Sequence, residues 1–218
     1  MKIAGFQKQS LIDYPGNISS VIFTQGCNFR CCYCHNPELV LPSRFGDTCS
    51  EETLLNYFER YKHLLDAVCI TGGEPTMHAG LIDFIKKVRV LGLLVKLDTN
   101  GTNSGMLKRL IDEKLIDFVA MDIKHHLNLD SYRKVVGARL SEVAFDQVLH
   151  SVNIIKDSGI PHQFRSTVVG GLHTETDVTV LNNQFNGKLK IQQYREGDVL
   201  DPSVEMFTLE EENSIATP

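Results

Sequence analysis

The sequence predicts an α/β fold in which helices cover a parallel sheet. Short runs of almost entirely apolar residues alternate with segments whose apolar residues recur at helical spacing. Near-continuous apolar strands are typical of parallel sheets that are buried on both faces. About six such β/α units can be counted, a number that fits either an open doubly wound sheet or part of a barrel. Periodicity alone does not decide between these two architectures.

The predicted strands are apolar runs of about five to seven residues, and unusual polar residues follow them. They span residues 20–24, 67–71, 94–99, 118–123, 163–169 and 190–194.

The predicted helices begin and end at recognisable capping residues. Ser50 is a plausible N-cap, with Glu51 and Glu52 in the favourable first turn. Gly92 is expected just after the end of the next helix, and Gly159 ends a longer helix over residues 141–158. The apolar faces of the helices are marked by Leu54, Phe58, Tyr61 and Leu65, by Leu81, Ile85 and Val88, by Met106, Leu107, Leu110 and Ile111, by Phe145, Leu149, Val152 and Ile155, and by Val178, Leu181 and Phe185.

Composition excludes several classes of function. The 218 residues carry a net charge of −5 and no basic block, which argues against nucleic-acid binding. No apolar run is long enough to span a bilayer, and the start of the chain lacks a signal-peptide core, so we expect a cytoplasmic protein without membrane contact. We predict one domain over residues 1–195, followed by an acidic tail over residues 196–218.

Four of the six cysteines lie within eight residues, directly after the first predicted strand. Cys27, Cys31 and Cys34 have the spacing C-x3-C-x2-C. Soft thiolates at this density select zinc, copper or an iron–sulfur cluster. Three ligands are one too few for a closed structural site, so the bound metal would keep a position open for a substrate.

Other interpretations of the cysteine loop remain open at this point. Cys32 allows a second spacing, C-x4-C-x-C, and the four cysteines with His35 could bind zinc or stay as free thiols. Cys49 and Cys69 are expected to be ordinary thiols, and Met121 a core residue. The remaining histidines are expected at the surface or in loops.

Polar residues follow one predicted strand after another. Because ligands bind at the carboxyl ends of strands in parallel β/α folds, we expect a single active rim there. After the cysteines, its members are Gly72-Gly73-Glu74-Pro75, Asp98-Thr99-Asn100-Gly101, Asp122 and Lys124, Arg165, and Gln192 and Gln193.

The cysteine spacing, with Tyr33 before the last cysteine, resembles the signature of the radical S-adenosylmethionine (SAM) enzymes. This resemblance implies that Cys27, Cys31 and Cys34 hold a [4Fe–4S] cluster and that SAM chelates the open iron. It also implies a partial (β/α)6 barrel of the radical SAM type with parallel strands, open on one side.

Gly72-Gly73-Glu74 resembles the GGE motif of the same family. The resemblance implies that the two glycines allow the backbone to approach SAM closely and that Glu74 accepts a hydrogen bond from the SAM amino group. Tyr33 is included among the expected SAM contacts.

Two further segments, Asp98-Thr99-Asn100-Gly101 and Asp122-x-Lys124, resemble those of glycyl-radical-enzyme activators. By this resemblance, Asp98 and Asp122 would hold a cation or polar groups of SAM, and Lys124 would pair with the SAM carboxylate. Arg165 matches a SAM-contacting arginine.

The start of the chain, residues 3–8 and 10–16, together with residues 27–37, is similar to anaerobic ribonucleoside-triphosphate reductase activating proteins, relatives of pyruvate formate-lyase activating enzyme. The resemblance implies that flavodoxin or ferredoxin reduces the cluster, that SAM is cleaved to methionine and a 5′-deoxyadenosyl radical, and that this radical takes a hydrogen from a glycine of a partner enzyme.

Alternatives to activation of a partner remain. The chain has no room for a cysteine-rich insert between Cys34 and Gly72 and no cysteine after Lys124, which disfavours activators with several clusters. A radical SAM enzyme acting on a small molecule is the rival within the family. A zinc or iron–sulfur electron-transfer or binding module is the rival from a different class.

Overall fold

The computed structural model describes residues 1–195 and 197–201, and one sheet organises them. The strands are β1 (Ile3–Ser10), β2 (Ser19–Thr24), β3 (Ala67–Gly72), β4 (Leu94–Thr99), β5 (Phe118–Asp122), β6 (His162–Val168) and β7 (Lys190–Gln193). The six strands predicted from the sequence are confirmed, with ends that differ by a residue at most. The prediction contained no strand before residue 19, so β1 is an addition.

The strand order decides the architecture that periodicity left open. The strands are hydrogen-bonded in chain order, from β1 to β7, and β2 to β7 run parallel. A doubly wound sheet reverses its order at a switch point, and this sheet does not. Because parallel crossovers are right-handed, an order that never reverses puts every crossover helix on the same face. The sheet therefore has the topology of a partial β/α barrel.

Strand β1 breaks the parallel pattern. It runs antiparallel to β2 at one edge of the sheet, with Phe6 opposite Ile22 and Ser10 opposite Ser19. The fold is thus six parallel strands preceded by an antiparallel edge strand.

The helices lie between the strands as the periodicity predicts, with two additions. They are α1 (Pro37–Val40), α2 (Glu51–Tyr61), α3 (Leu81–Val90), α4 (Ser104–Asp112), α5 (Leu129–Val136), α6 (Glu142–Ser158) and α7 (Glu175–Gln184). Ser50 caps α2 by accepting the N–H of Thr53, and Gly159 ends α6 in the left-handed conformation, as predicted. Helices α1 and α5 were not predicted from the sequence.

The two faces of the sheet carry different clusters because side chains alternate along a strand. Ile22, Ile70 and Leu97 are fully buried in the main core, which also contains the helix residues. On the other face, Tyr14 covers a small apolar cluster that includes Cys69. This second cluster is made by residues near the starts of the strands, so the polar residues at the strands' carboxyl ends face a separate space.

Among the described residues, no helix combines the length and the apolar character needed to cross a bilayer. Of the predicted acidic tail, only residues 197–201 are described; Glu196 and residues 202–218 lie outside the described part of the chain.

Candidate functional site

A cavity of about 390 Å³ lies at the carboxyl ends of the parallel strands. Every residue predicted to bind the cluster or SAM is part of its lining: Cys27, Cys31, Tyr33, Cys34, Gly72, Gly73, Glu74, Asp98, Asp122, Lys124 and Arg165. Of the other residues expected at the rim, Pro75, Gly101 and Gln193 are not part of the lining. Gln192 also lines the cavity. The structure therefore brings the predicted residues together; their individual contacts with a cofactor stay predictions.

The cysteine loop is fixed from two sides. On one side, the carbonyl oxygens of Val135 and Val136 at the end of α5 accept the N–H groups of Cys32 and Arg30, at 3.2 and 3.0 Å. On the other side lies the strap, which we define as residues 197–201. The strap donates the N–H groups of Leu200 and Asp201 to the carbonyl oxygens of Cys34 and Cys32, both at 3.0 Å.

Three of the four clustered cysteines, Cys27, Cys31 and Cys34, line the cavity, whereas Cys32 is not part of its lining. All four are free thiols. This placement favours the spacing C-x3-C-x2-C over C-x4-C-x-C, because the alternative would require Cys32 as a ligand.

The cysteine environment fits a metal cluster. Burial raises the pKa of Cys27 to about 11 and that of Cys31 to about 12. Without a bound cation, both are therefore neutral thiols at neutral pH. Three soft sulfur donors that meet in one cavity match the ligand set of an iron–sulfur cluster, whose positive iron would hold them as thiolates.

Tyr33 leaves a polar atom without a partner in the same cavity. Its side chain is buried, and its hydroxyl makes no hydrogen bond within the described structure. Burial raises the pKa of this hydroxyl, so it stays protonated. Since buried hydroxyls normally find a partner, this one fits a site that is completed by a bound molecule.

Gly72 and Gly73 are required by contact with the start of the cysteine loop. A Cβ atom on Gly72, whose φ is +108°, would lie 2.4 Å from the backbone nitrogen of Thr24. A Cβ atom on Gly73 would lie 2.0 Å from the carbonyl oxygen of Gly26. The family resemblance implied close approach of a ligand at these glycines; the structure shows that close approach of two backbones already requires them.

Glu74 links the loop after β3 to the loop after β4. Its Oε1 accepts the N–H and the hydroxyl of Thr76, at 3.0 and 2.5 Å, and the hydroxyl of Thr99 at 2.8 Å. Its Oε2 accepts the N–H of Asn100 at 2.7 Å. The side chain is 1% exposed, and burial raises its pKa. In this structure the carboxylate therefore joins these two loops, a structural role that was not predicted from the sequence.

Five charged side chains on or just after β4, β5 and β6 are joined by a continuous series of ion pairs. Lys96 pairs with Asp98, Arg165 bridges Asp98 and Asp122, and Lys124 pairs with Asp122. The Arg165–Asp98 distance is 3.0 Å and the Lys124–Asp122 distance is 3.1 Å. Three cations and two anions leave one excess positive charge. Each aspartate oxygen already faces a cation. Lys124 lines the cavity and pairs there with Asp122, so its ammonium group is placed to attract an anionic ligand group as well.

The ion pairs determine the protonation states of these side chains. Burial alone would raise the pKa of Asp122, but Lys124 and Arg165 outweigh it and hold that pKa well below its usual value. Burial would lower the pKa of Lys124 and of Arg165, but the neighbouring aspartates raise both. Asp122, Lys124 and Arg165 are thus all charged at neutral pH.

Sequence reasoning missed Lys96, although a signal was present. A lysine inside an apolar strand is costly to bury unless it has a partner, and Asp98 two residues later lies on the same face. Lys96 is 4% exposed and lies in β4, as that argument would predict.

Two histidines expected at the surface or in loops do lie in loops but are buried. His125 is 1% exposed and His173 is 3% exposed, and their rings stack with centroids 4.8 Å apart. His173 Nδ1 accepts the N–H of Val169, so its Nε2 carries the proton and donates to the Lys124 carbonyl at 2.9 Å. This histidine pair supports the loop that carries Lys124.

Comparison with known proteins agrees with this geometry. Residues 21–182 match the family described as the radical SAM superfamily. Over 98% of its length the chain is 32% identical to a Methanocaldococcus jannaschii protein, provisionally named a glycyl-radical enzyme activating enzyme, and spans 88% of that protein. It is 33% identical over 71% of its length to the pyruvate formate-lyase-activating enzyme of Clostridium pasteurianum, and spans 64% of that enzyme.

Solved structures share the fold at low identity. SuiB of Streptococcus suis bound to S-adenosylmethionine superposes with a TM-score of 0.68 at 15% identity, over 89% of this chain and 45% of that one. A radical SAM methyltransferase of Sphaerobacter thermophilus superposes with a TM-score of 0.65 at 14% identity, over 93% of this chain and 63% of that one.

The family match covers most of the chain, and the cavity presents three cysteines of the family's spacing beside the cations of Lys124 and Arg165. The chain belongs to the radical SAM superfamily and is a radical SAM oxidoreductase whose cofactors are a [4Fe–4S] cluster and S-adenosylmethionine.

Proposed function

We propose that the protein is an activating enzyme that generates a glycyl radical on a partner enzyme. The observation that carries this proposal is the similarity over 98% of the chain to a protein provisionally named a glycyl-radical enzyme activating enzyme. The similarity to a pyruvate formate-lyase-activating enzyme supports it. For the partner we propose an anaerobic ribonucleoside-triphosphate reductase, on the resemblance of residues 3–16 to its activators, and for the reductant a flavodoxin or ferredoxin.

The residues that would hold the cluster are Cys27, Cys31 and Cys34. The backbone of their loop is held from both sides by hydrogen bonds to α5 and to the strap. Preorganisation of this kind lowers the cost of ordering the ligands when the cluster is bound.

The residues that would orient SAM lie beside these cysteines. Lys124 and Arg165 carry the positive charge that would face the SAM carboxylate, and the aspartates hold both cations in place. Tyr33 offers its unpartnered hydroxyl as a donor. Gly72 and Gly73 set the distance between the loop after β3 and the cysteine loop, and Glu74 fixes the loop after β4.

When bound, the cluster and SAM supply the one-electron cleavage of SAM to methionine and a 5′-deoxyadenosyl radical, which takes a hydrogen atom from the partner's glycine Cα. The chain itself supplies position and exclusion of water. We also propose the cytoplasm as its location, since clustered cysteines that bind a metal instead of forming disulfides are typical of a reducing compartment.

The test is electron paramagnetic resonance (EPR) on anaerobically reconstituted protein reduced with dithionite, with and without SAM. A [4Fe–4S]⁺ signal that changes on addition of SAM is expected. Adding the partner reductase should then yield a glycyl radical signal on the partner. Cleavage of SAM without any radical on a glycyl radical enzyme would overturn the activating function and favour a small-molecule substrate.

The matched variants are Cys31→Ala and Cys32→Ala. Cys31→Ala should abolish SAM cleavage while leaving the fold largely intact, and Cys32→Ala should retain cleavage. The reverse result would show that the spacing C-x4-C-x-C is the correct one.

A further inference from the structure

Asn100 belongs to the loop after β4 and contacts Cys27, the first cysteine of the cysteine loop. It is 6% exposed. Its side-chain Nδ2 donates to Cys27 Sγ at 3.9 Å and to Asn28 Oδ1 at 2.9 Å. The backbone N–H of Phe29 donates to the same sulfur at 3.4 Å. Cys27 Sγ therefore accepts two N–H···S hydrogen bonds, one of which comes from a side chain.

The orientation of the Asn100 amide is determined by its neighbours. Its Oδ1 accepts the backbone N–H of Thr102 at 3.0 Å and the hydroxyl of Thr102 at 2.7 Å. A backbone N–H can only donate, so the oxygen must face Thr102 and the NH₂ group must face Cys27. The donor to sulfur is thus fixed by the backbone of a residue two positions away.

The position of Asn100 is fixed as well. Its backbone N–H is bound by the buried Glu74 carboxylate at 2.7 Å. Glu74 is itself held by Thr76 and Thr99. Glu74 is therefore a positioning residue for Asn100, and a donor held this firmly has no alternative orientation in which to relax.

We propose that Asn100 raises the reduction potential of the cluster through its hydrogen bond to Cys27. The inference rests on the proposed role of Cys27 as a cluster ligand. Reduction adds one electron, from a one-electron donor such as dithionite, and converts the [4Fe–4S]²⁺ state to [4Fe–4S]⁺. The added negative charge spreads onto the cysteine sulfurs, so an N–H donor stabilises the reduced state more than the oxidised state. The cluster is thereby easier to reduce.

The experiment is an EPR-monitored redox titration of reconstituted wild type and of Asn100→Ala, compared at equal iron and sulfide content per chain. The variant should show a three- to tenfold smaller ratio of reduced to oxidised cluster at a fixed potential. That change corresponds to a midpoint about 30–60 mV more negative, at 59 mV per tenfold change for one electron. Asn100→Leu, which keeps the bulk without the donor, should shift in the same direction.

The matched control is Asn28→Ala. This variant removes the bonds of Asn28 to Asn100 and to Thr102 but keeps the Asn100–Cys27 contact, so its midpoint should stay near that of wild type. An equal shift in Asn28→Ala, or no shift in either Asn100 variant, would overturn the proposal. Loss of the cluster from both Asn100 variants, with retention in Asn28→Ala, would also overturn it by showing a structural role.

The same measurements separate this inference from the proposed function. A wild-type protein without an EPR-active cluster, or a Cys27→Ala variant that keeps the wild-type cluster, would contradict the ligand assignment itself. A normal wild-type cluster with unshifted Asn100 variants would contradict only the tuning role.

Discussion

The carboxylate of Glu74 accepts the backbone N–H of Asn100 at 2.7 Å, and this bond joins two loops that are 26 residues apart in the chain. The other oxygen of Glu74 accepts the backbone N–H of Thr76 at 3.0 Å. Both oxygens thus face donors that cannot become acceptors. This position therefore requires a side chain with two acceptor oxygens, which a carboxylate provides and an amide does not.

We therefore expect Glu74→Gln to destabilise the apoprotein although the two side chains have the same shape. The amide NH₂ must replace one of the two oxygens and will meet a backbone N–H. Leaving a buried donor unsatisfied costs about 1–3 kcal/mol. Urea unfolding would measure this loss in the free energy of unfolding. Glu142→Gln, at an exposed position in the first turn of α6, is the control and should cost less than about 1 kcal/mol, the usual contribution of an acidic side chain near a helix N-terminus.

The residues of these two loops were predicted to lie at one rim, but their hydrogen-bond partners were not. The strands and the gathering of polar residues at one rim follow from local patterns, because the carboxyl ends of parallel strands must lie together. The partners of Glu74 and the pairing of Arg165 with Asp98 depend on register between distant segments, which no local pattern encodes. Helix α5 was missed although a local signal was present: Leu129, Tyr132 and Val135 recur at helical spacing, and Asn128 caps the helix.

Gly73→Ala should destabilise the protein and separate the loop after β3 from the cysteine loop. The new Cβ would lie 2.0 Å from the Gly26 carbonyl oxygen, and a backbone atom cannot move aside as a flexible side chain can. Overpacking of this kind costs about 1–3 kcal/mol or more. The check is the midpoint of urea unfolding together with iron incorporation after reconstitution.

The control for this substitution is Gly105→Ala in the first turn of α4. The nearest atom to its new Cβ is Asn103 Oδ1 at 4.0 Å, so no clash arises. Replacing glycine by alanine in a helix should leave stability equal or raise it by about 0.4–1 kcal/mol. Equal losses from Gly73→Ala and Gly105→Ala would contradict the role of the backbone contact.

The buried histidines should make stability depend on pH between about 4 and 6.5. Burial and the neighbouring His173 and His126 lower the pKa of His125 to about 4, although Asp177 raises it. Burial also lowers the pKa of His173. The unfolded chain therefore binds more protons than the folded one in this window, so the free energy of unfolding falls as pH is lowered from 6.5 towards 4.

His125→Asn should flatten this dependence, which thermal unfolding of the apoprotein at several pH values would reveal. Replacing the exposed His63 with asparagine serves as the control and should leave the slope as in wild type. A variant at His125 that keeps the full wild-type slope would show that other groups cause it.

Truncation should separate the role of the strap from that of the residues beyond it. The strap donates two backbone N–H groups to the cysteine loop, from Leu200 to Cys34 and from Asp201 to Cys32, both at 3.0 Å. It also follows Tyr194 and Arg195, which contact His35 by ring stacking and by a hydrogen bond.

A chain that ends after Arg195 loses both N–H donors, so we expect less iron per chain after reconstitution and faster loss of iron to a chelator. A chain that ends after Asp201 keeps both donors and should match the full-length protein in iron content. If it also activates the partner reductase at the full rate, residues 202–218 are not needed for activation. If the two truncated chains retain iron equally well, the strap does not hold the cysteine loop.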